Sequence, residues 1–335
     1  MTLLHLLLPL GLALADTTVS IRFVTDEAEA AIGILEARAA GREPDAAAWQ
    51  RLLTSEGYRR LHRREEAMGR GFTDSAFAAF LREDSMARRA PALRETLRRW
   101  TAVDFEALGA RVLEWLPRGA RIRARVYPLV KPRPNSFVFE LASDPAIMLF
   151  LDPVVTPEKF ANTAAHELHH IGLGGACAAE PPASLPPGVR QVLRWSGAFG
   201  EGFAMLAAAG GPQVHPHVVS GAGERAEWDA SVARFDEDLA ELDRFFTDVV
   251  EGRAGDEDSV TARARTYYGT QGPWYTVGWR MAATVVEEFG RERFRETLCD
   301  AGAFLRLYDA AAVARQARTG ARVARWNPAL LARLP

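Results

Sequence analysis

The segment from Asn162 to His170 contains a His-Glu-x-x-His pattern formed by His166, Glu167 and His170. On a helix, the two histidines lie about 40° apart on one face, so both imidazoles can bind one Zn²⁺. Glu167 follows His166 by about 100° and can lean over the open position of the metal. There it would accept a proton from a water that the metal activates. The pattern therefore predicts a hydrolytic zinc site with Glu167 as the general base.

A catalytic zinc usually has three protein ligands, so the two histidines require a third residue. The metzincin pattern would place a glycine and then a histidine downstream of the second histidine. Leu173 and Ala176 occupy those positions, which excludes that arrangement. Glu201 is the better candidate, because it lies on the next expected helix, after a loop long enough to fold back.

Other side chains are weaker candidates for the third ligand. Glu180 lies in a proline-rich loop, and a proline separates His215 from His217 in a turn-like segment. His169 lies about 60° around the helix from the first histidine of the pattern. We expect it to pack or to hydrogen-bond beside the site.

Residues Glu201–Ala204 read Glu-Gly-Phe-Ala. Together with the His-Glu-x-x-His pattern they resemble the gluzincins, the clan of thermolysin-like zinc peptidases. In that clan a glutamate in such a string is the third zinc ligand, which implies this role for Glu201. The gap between His170 and Glu201 is longer than in thermolysin, and Met205 stands where thermolysin has an acidic residue. From about Ala146 to Met281 the chain is also similar to uncharacterised bacterial zinc-dependent peptidases.

Peptide hydrolysis through a tetrahedral intermediate needs a donor aimed at the developing oxyanion. Pro273 is expected to start a helix, which places Tyr275 in a first turn, where side chains often face a cleft. Tyr275 is therefore the candidate donor, and the Tyr-x-x-Gly-x-x-Met string that begins there resembles one in the same bacterial peptidases. Tyr267, Tyr268 and Arg280 are alternatives, and any of these tyrosines could equally be an aromatic core residue.

The elements that must position these residues follow from periodicity. The chain from Asp26 to about Pro117 has helical spacing of apolar residues throughout. The expected breaks between its helices are Gly41, Gly57, Gly71 and Pro91. The convincing β pattern comes next, at Ile122–Val130, Ser136–Leu141 and Ala146–Leu151. These three strands predict a small antiparallel sheet.

The segment that carries the zinc pattern has a clear helix start. Thr156 supplies an N-cap and Pro157 a proline at the first helical position, so a helix should run to about Ile171. The glycines expected to stop it are Gly172, Gly174 and Gly175. The later helices are expected at Val189–Ala209, Glu224–Val250, Pro273–Phe289, Arg291–Leu298 and Ala303–Ala317.

The predicted fold is α+β and mostly helical, with a small antiparallel sheet beside the His-Glu-x-x-His helix and a gluzincin-like helical C-terminal subdomain that delivers Glu201. We divide the chain into a signal peptide (1–15), an N-terminal helical region (16–118) and a zinc metallopeptidase domain (119–335). The apolar run from Leu3 to Ala15 suggests export to the periplasm or the medium of a bacterium. No later apolar run reaches the roughly 18 residues of a membrane span.

The composition excludes some partners. With 41 basic and 43 acidic residues and a net charge of -2, the chain lacks the basic surface typical of nucleic-acid binding. Cys177 and Cys299 are too few for a disulfide framework. We expect two small buried thiols, with a single bond between them as the alternative.

These observations predict a zinc-dependent hydrolase that cleaves peptide bonds in peptide or protein substrates. The substrate could lie along an edge strand of the sheet. One alternative is another zinc hydrolase, such as an amidase or a deformylase, but a deformylase needs an upstream cysteine ligand and both cysteines lie downstream. A second alternative is a binding protein stabilised by zinc. Glu167 argues against it, because a glutamate that is not a ligand is not needed to hold metal.

Overall fold

The computed structural model describes residues 18–141, 143–178 and 180–335. The predicted signal peptide at residues 1–15 lies outside the described residues, so export stays a prediction. Among the described helices, none combines the length and the apolar character that crossing a membrane requires.

A mixed four-stranded sheet lies in the middle of the fold. Its strands are β1 (Val19–Phe23), β2 (Ile122–Leu129), β3 (Phe137–Phe139) and β4 (Ala146–Phe150). The spatial order is β1-β2-β4-β3. Strands β1, β2 and β4 run parallel, and β3 pairs antiparallel with β4. One edge is therefore β1 and the other is the short antiparallel β3.

The prediction of an antiparallel sheet is wrong, although the three predicted strands lie where we expected them. The chain from β2 passes over to β3 at the edge and returns as β4, so β4 lies parallel to β2. The buried residues of β2 and β4 fit the interior of a parallel sheet. The sequence did not indicate β1, a strand of only five residues that begins at Val19.

Helices make up most of the remaining chain. Before β2 they are α1 (Asp26–Ala39), α2 (Ala46–Thr54), α3 (Glu56–Ala67), α4 (Asp74–Leu81), α5 (Asp84–Thr101) and α6 (Phe105–Leu113). Helix α7 (Pro157–Ala176) follows the sheet. The later helices are α8 (Pro187–Ser196), α9 (Gly200–Ala209), α10 (Ala222–Ala233), α11 (Phe235–Val250), α12 (Glu257–Thr266), α13 (Pro273–Phe289), α14 (Arg291–Thr297), α15 (Ala301–Thr319) and α16 (Pro328–Leu331).

Several expected helix breaks are wrong. Pro91 lies inside α5, and α7 continues through its glycines to Ala176. The break expected near Gly57 is present, because Ser55 separates α2 from α3. Packing explains these differences, because burial of an apolar face outweighs the weak local preference of one residue. At Gly172, a Cβ would lie 2.2 Å from Leu116 Cδ1, so this glycine allows a close contact with the neighbouring segment and does not end the helix.

Two hydrophobic cores flank α7. The first lies among α1–α6, the sheet and α7, and the second lies among the C-terminal helices. Leu173 of α7 packs against both cores. Strand β1 precedes the predicted boundary at residue 118 and pairs with β2 after it. The division at that residue stays a prediction.

Cys177 and Cys299 form a disulfide bond. The expectation of two free, buried thiols is therefore wrong. Cys177 caps the C-terminal end of α7, and Cys299 follows α14, so the bond ties α7 to the C-terminal helices. The two cysteines are 122 positions apart in the chain, and the sequence carried no sign that they are neighbours in space.

Candidate metal centre

Helix α7 positions the two histidines of the His-Glu-x-x-His pattern. The Thr156 side chain accepts a hydrogen bond from Lys159 N and caps the first turn, and Pro157 occupies the first helical position. Ala164 and Leu168 are fully buried on the side of α7 that packs into the first core. His166 and His170 lie on the opposite face of the helix, which faces α9.

Glu201 approaches from α9, in its first turn. This helix packs against both α7 and α13. Leu206 and Ala207 of α9 are fully buried in the second core, which fixes the helix and with it the position of Glu201. The structure therefore brings together the three residues that the sequence suggested as metal ligands.

The three ligand atoms form a nearly equilateral triangle. His166 Nε2 lies 3.0 Å from His170 Nε2 and 3.1 Å from Glu201 Oε2, and His170 Nε2 lies 3.2 Å from the same oxygen. A tetrahedral zinc with bonds of about 2.0–2.1 Å needs ligand atoms about 3.3–3.4 Å apart. The triangle matches one face of that tetrahedron to within a few tenths of an ångström. The residues present therefore fit zinc, and the fourth position stays available for substrate or water.

The electrostatics of the triangle also favour a cation. Burial opposes ionisation of Glu201, but the hydrogen bonds from His166 and His170 outweigh burial and bring its pKa well below the usual range. Burial likewise opposes a charge on His170, yet the hydrogen bond to Glu201 and the charges of Glu201 and Glu167 leave its pKa raised. Positive charge at the centre of the triangle is thus stabilised by the surrounding carboxylates.

Tyr275, the expected oxyanion donor, lies beside the triangle on the first turn of α13. Its ring is nearly parallel to that of His166, with 6.3 Å between centroids. Burial and the nearby charges of Glu201 and Glu167 raise the pKa of Tyr275. Its phenol therefore keeps its proton at neutral pH and is available as a donor.

The three alternative oxyanion donors have different surroundings. Tyr268 is half-buried, and burial followed by the charge of Glu201 raises its pKa, so it also lies near the centre. Tyr267 is a core residue, packed on Phe245 and Trp274. Arg280 follows the first turn of α13 and interacts with Tyr308 of α15.

The alternative ligands lie elsewhere. Glu180 is exposed and pairs with Arg194, with 2.9 Å between Oε2 and Nη2. His215 Nε2 lies 3.0 Å from Asp229 Oδ1. His217 contacts Ser220 with 3.2 Å between Nδ1 and Oγ. In the described part of the chain, the only group of at least three His, Cys, Asp or Glu residues arranged to hold a metal is His166, His170 and Glu201.

His169 is fully buried behind the ligands, and burial holds its pKa well below the usual range. Its ring lies 6.4 Å from that of His170, centroid to centroid. A neutral imidazole in this position packs behind the site, as we expected.

Sequence reasoning missed a cavity of about 200 Å³ beside the N-terminal half of α7. Thr163 lines this cavity and lies one helical turn before His166 and Glu167, on the same face of α7. Lys159, one turn earlier still, also lines it and forms an ion pair with Glu224 of α10. The signal available in the sequence was the three-to-four spacing from Lys159 to His170 along one stripe of α7.

The fold and the triangle define an α+β, mostly helical protein with a His-Glu-x-x-His centre completed by a glutamate from a second helix. The family described as "Putative zinc dependent peptidase (DUF5700)" matches residues 49–317, and the chain belongs to it. Zinc is the metal of this family. No curated protein and no solved structure gives a significant match.

Proposed function

We propose that this protein hydrolyses peptide bonds at a zinc ion held by His166, His170 and Glu201, with Glu167 as the general base. The observation that carries the proposal is the convergence of the three ligand atoms within 3.2 Å of one another. The family description as a zinc-dependent peptidase supports the same reaction. When bound, zinc would polarise the scissile carbonyl and lower the pKa of the attacking water.

Glu167 and Tyr275 would supply the proton transfers and the hydrogen bond that the reaction needs. Glu167 takes the proton of the attacking water and passes it to the leaving amine. Tyr275, whose raised pKa keeps it protonated, donates a hydrogen bond to the oxygen that gains negative charge. Tyr268 is the second candidate for this donor, because Glu201 also influences its pKa.

The gluzincin-like assignment is part of this proposal. The antiparallel edge strand β3, the return strand β4 and helix α7 follow one another along the chain, and α9 then supplies Glu201. An extended peptide could pair with the free edge of β3 by β-augmentation. Its reactive carbonyl would then lie over α7.

The cavity beside Thr163 would receive a substrate side chain. Its walls are mainly apolar and aromatic, and its lining residues are Trp100, Pro134, Ser136, Leu149, Phe150, Asp152, Val155, Lys159, Phe160 and Thr163. Trp100 stacks on Phe160 with 4.0 Å between ring centroids, which forms a flat aromatic floor. We therefore infer a preference for an apolar side chain next to the cleaved bond.

Export is also proposed. The disulfide between Cys177 and Cys299 supports it, because such bonds persist in oxidising compartments outside the cytosol.

The proposed function is tested by Glu167→Gln. This variant should keep one zinc per chain, because Glu167 is not a ligand, and should lose hydrolysis of a denatured protein mixture by at least about a thousandfold. Glu158→Gln, an exposed change in the first turn of the same helix, is the matched control and should retain activity. If the wild type binds zinc but cleaves no peptide, the protein has another hydrolytic or a binding role.

Tyr275→Phe tests the donor separately. It should retain zinc and reduce kcat by about a hundredfold with little change in KM, because the lost hydrogen bond forms only with the developing oxyanion. If Tyr268→Phe shows that pattern and Tyr275→Phe does not, the donor is Tyr268.

A further inference from the structure

A second cavity, of about 260 Å³, lies in the N-terminal part of the fold. It opens to the surface and is lined by residues of α3, the segment before α4, α4 itself and the loop that follows β2. Its lining residues are Leu61, Glu65, Arg70, Gly71, Phe72, Ala76, Phe77, Lys131, Pro132 and Arg133. None of them belongs to the metal centre, so this cavity is separate from the proposed active site.

The floor of this cavity is apolar. Leu61 and Phe77 are almost completely buried. Phe72 stacks on Phe77 with 5.5 Å between ring centroids, and Ala76 leaves space beside the two rings. A branched aliphatic or an aromatic group would bury its surface here.

The polar side of the cavity carries excess positive charge. Three cations, Arg70, Lys131 and Arg133, face one acid, Glu65. Both oxygens of Glu65 are already engaged, one by Arg64 at 2.5 Å and the other by Arg70 Nε at 3.2 Å. Among these four side chains the cavity lining carries two more cations than anions.

Arg70 also has an unused donor. Its Nη2 atom is buried and has no hydrogen-bond partner among the described residues. Arg70 itself lines the cavity, and only its Nε is engaged by Glu65, so its guanidinium keeps further donors. A carboxylate is the acceptor that a guanidinium binds best.

The loop after β2, which lines part of the cavity, is fixed in place. Lys131 Nζ donates to Arg133 O at 2.7 Å, to Asn135 O at 2.5 Å and to Asn135 Oδ1 at 2.7 Å. These bonds hold the loop after β2 in one conformation, so the cavity exists before any ligand arrives. A preformed cavity loses less entropy on binding.

We propose that this cavity binds a small carboxylate with an apolar body, the carboxylate at Arg70 and Arg133 and the apolar group against Phe72 and Phe77. Free organic acids and the C-terminal residue of a peptide share this chemistry. Only the second source rests on the proposed function, since cleavage of a peptide releases a new C-terminal carboxylate.

The test is calorimetric titration with N-acetyl-leucine and with its amide, N-acetyl-leucinamide. We expect the acid to bind at least tenfold more tightly than the amide. Arg70→Gln and Arg133→Gln should each weaken the acid at least fivefold, and Ala76→Trp should abolish binding by filling the cavity. Arg63→Gln, an exposed change on the same helix α3, is the matched control and should leave binding unchanged. Equal binding of acid and amide, or unchanged affinity in all three cavity variants, would overturn the proposal.

Carboxylates can also bind zinc, so the titration is repeated with His166→Ala. The proposal requires unchanged affinity in that variant, and loss of binding would place the ligand at the metal centre instead. This titration does not depend on peptidase activity, so carboxylate binding in the cavity can be established even if the protein does not cleave peptides. Tighter binding of N-acetyl-Ala-Ala-Leu than of N-acetyl-leucine would identify a peptide C-terminus as the ligand, and weaker binding would identify a free acid.

Discussion

Gly202 of α9 lies directly against Gly278 of α13. A Cβ on Gly278 would be 3.3 Å from Gly202 Cα, and a Cβ on Gly202 would be only 2.0 Å from the backbone nitrogen of Trp279. The two glycines therefore let the backbones of α9 and α13 touch. Because Glu201 precedes Gly202 and Tyr275 lies one turn before Gly278, this contact sets the position of the third ligand relative to the proposed donor.

The first prediction is that Gly202→Ala separates these two helices. It should destabilise the protein by about 1–3 kcal/mol and weaken zinc binding at least tenfold, because overpacking at this contact shifts Glu201. Gly174→Ala is the matched control: it lies in α7 with open space around it, and alanine there should be neutral or slightly stabilising. Urea unfolding and zinc titration measure both effects. Wild-type zinc affinity in Gly202→Ala would show that the contact does not position Glu201.

The second prediction concerns the disulfide. Its removal in the Cys177→Ser/Cys299→Ser variant should lower the free energy of unfolding by about 2–5 kcal/mol, because the bond closes a loop of 122 residues in the unfolded chain. Adding a reductant to the wild type should produce the same loss, and adding it to the variant should change nothing. If the reductant leaves the unfolding curve of the wild type unchanged, the disulfide bond between Cys177 and Cys299 is absent.

The third prediction concerns Glu27, which is almost completely buried and accepts a hydrogen bond from Val130 N at 3.0 Å. Burial raises its pKa to about 8. A raised folded-state pKa means that this group stabilises the fold at low pH and that the contribution is lost as pH rises from about 4.5 to about 8. Glu27→Gln removes the titration and keeps an acceptor for Val130.

The stability of Glu27→Gln relative to the wild type should therefore increase by about 1.4 kcal/mol per pH unit across that window. Glu29→Gln, on the exposed side of the same helix, is the control for replacing a glutamate of α1 by glutamine. Urea denaturation at several pH values measures the difference. Parallel curves for Glu27→Gln would mean that Glu27 ionises normally in the folded protein.

The sequence predicted those parts of the fold and the site that depend only on residues close together in the chain. The spacing of His166 and His170 places both rings on one face of any helix, and the cap at Thr156 marks where that helix begins. The α+β class and the positions of β2, β3 and β4 also followed from periodicity. Strand direction did not, because it depends on the route of the chain between strands.

The remaining parts of the site depend on contacts between distant elements. Glu201 was suggested by resemblance, and only the packing of α9 against α7 brings it to the histidines. The choice between Tyr275 and Tyr267 required the position of α13, which buries Tyr267 in the second core. The bond between Cys177 and Cys299 could not be predicted for the same reason.

The central claim is that His166, His170 and Glu201 together hold one zinc ion. It is tested most directly by a crystal structure of the zinc-loaded protein with an anomalous difference map recorded at the zinc edge. We expect one strong peak per chain, about 2.0–2.2 Å from His166 Nε2, His170 Nε2 and a carboxylate oxygen of Glu201. A peak at His215 or His217, or a zinc bound to the two α7 histidines with Glu201 turned away from it, would contradict that claim.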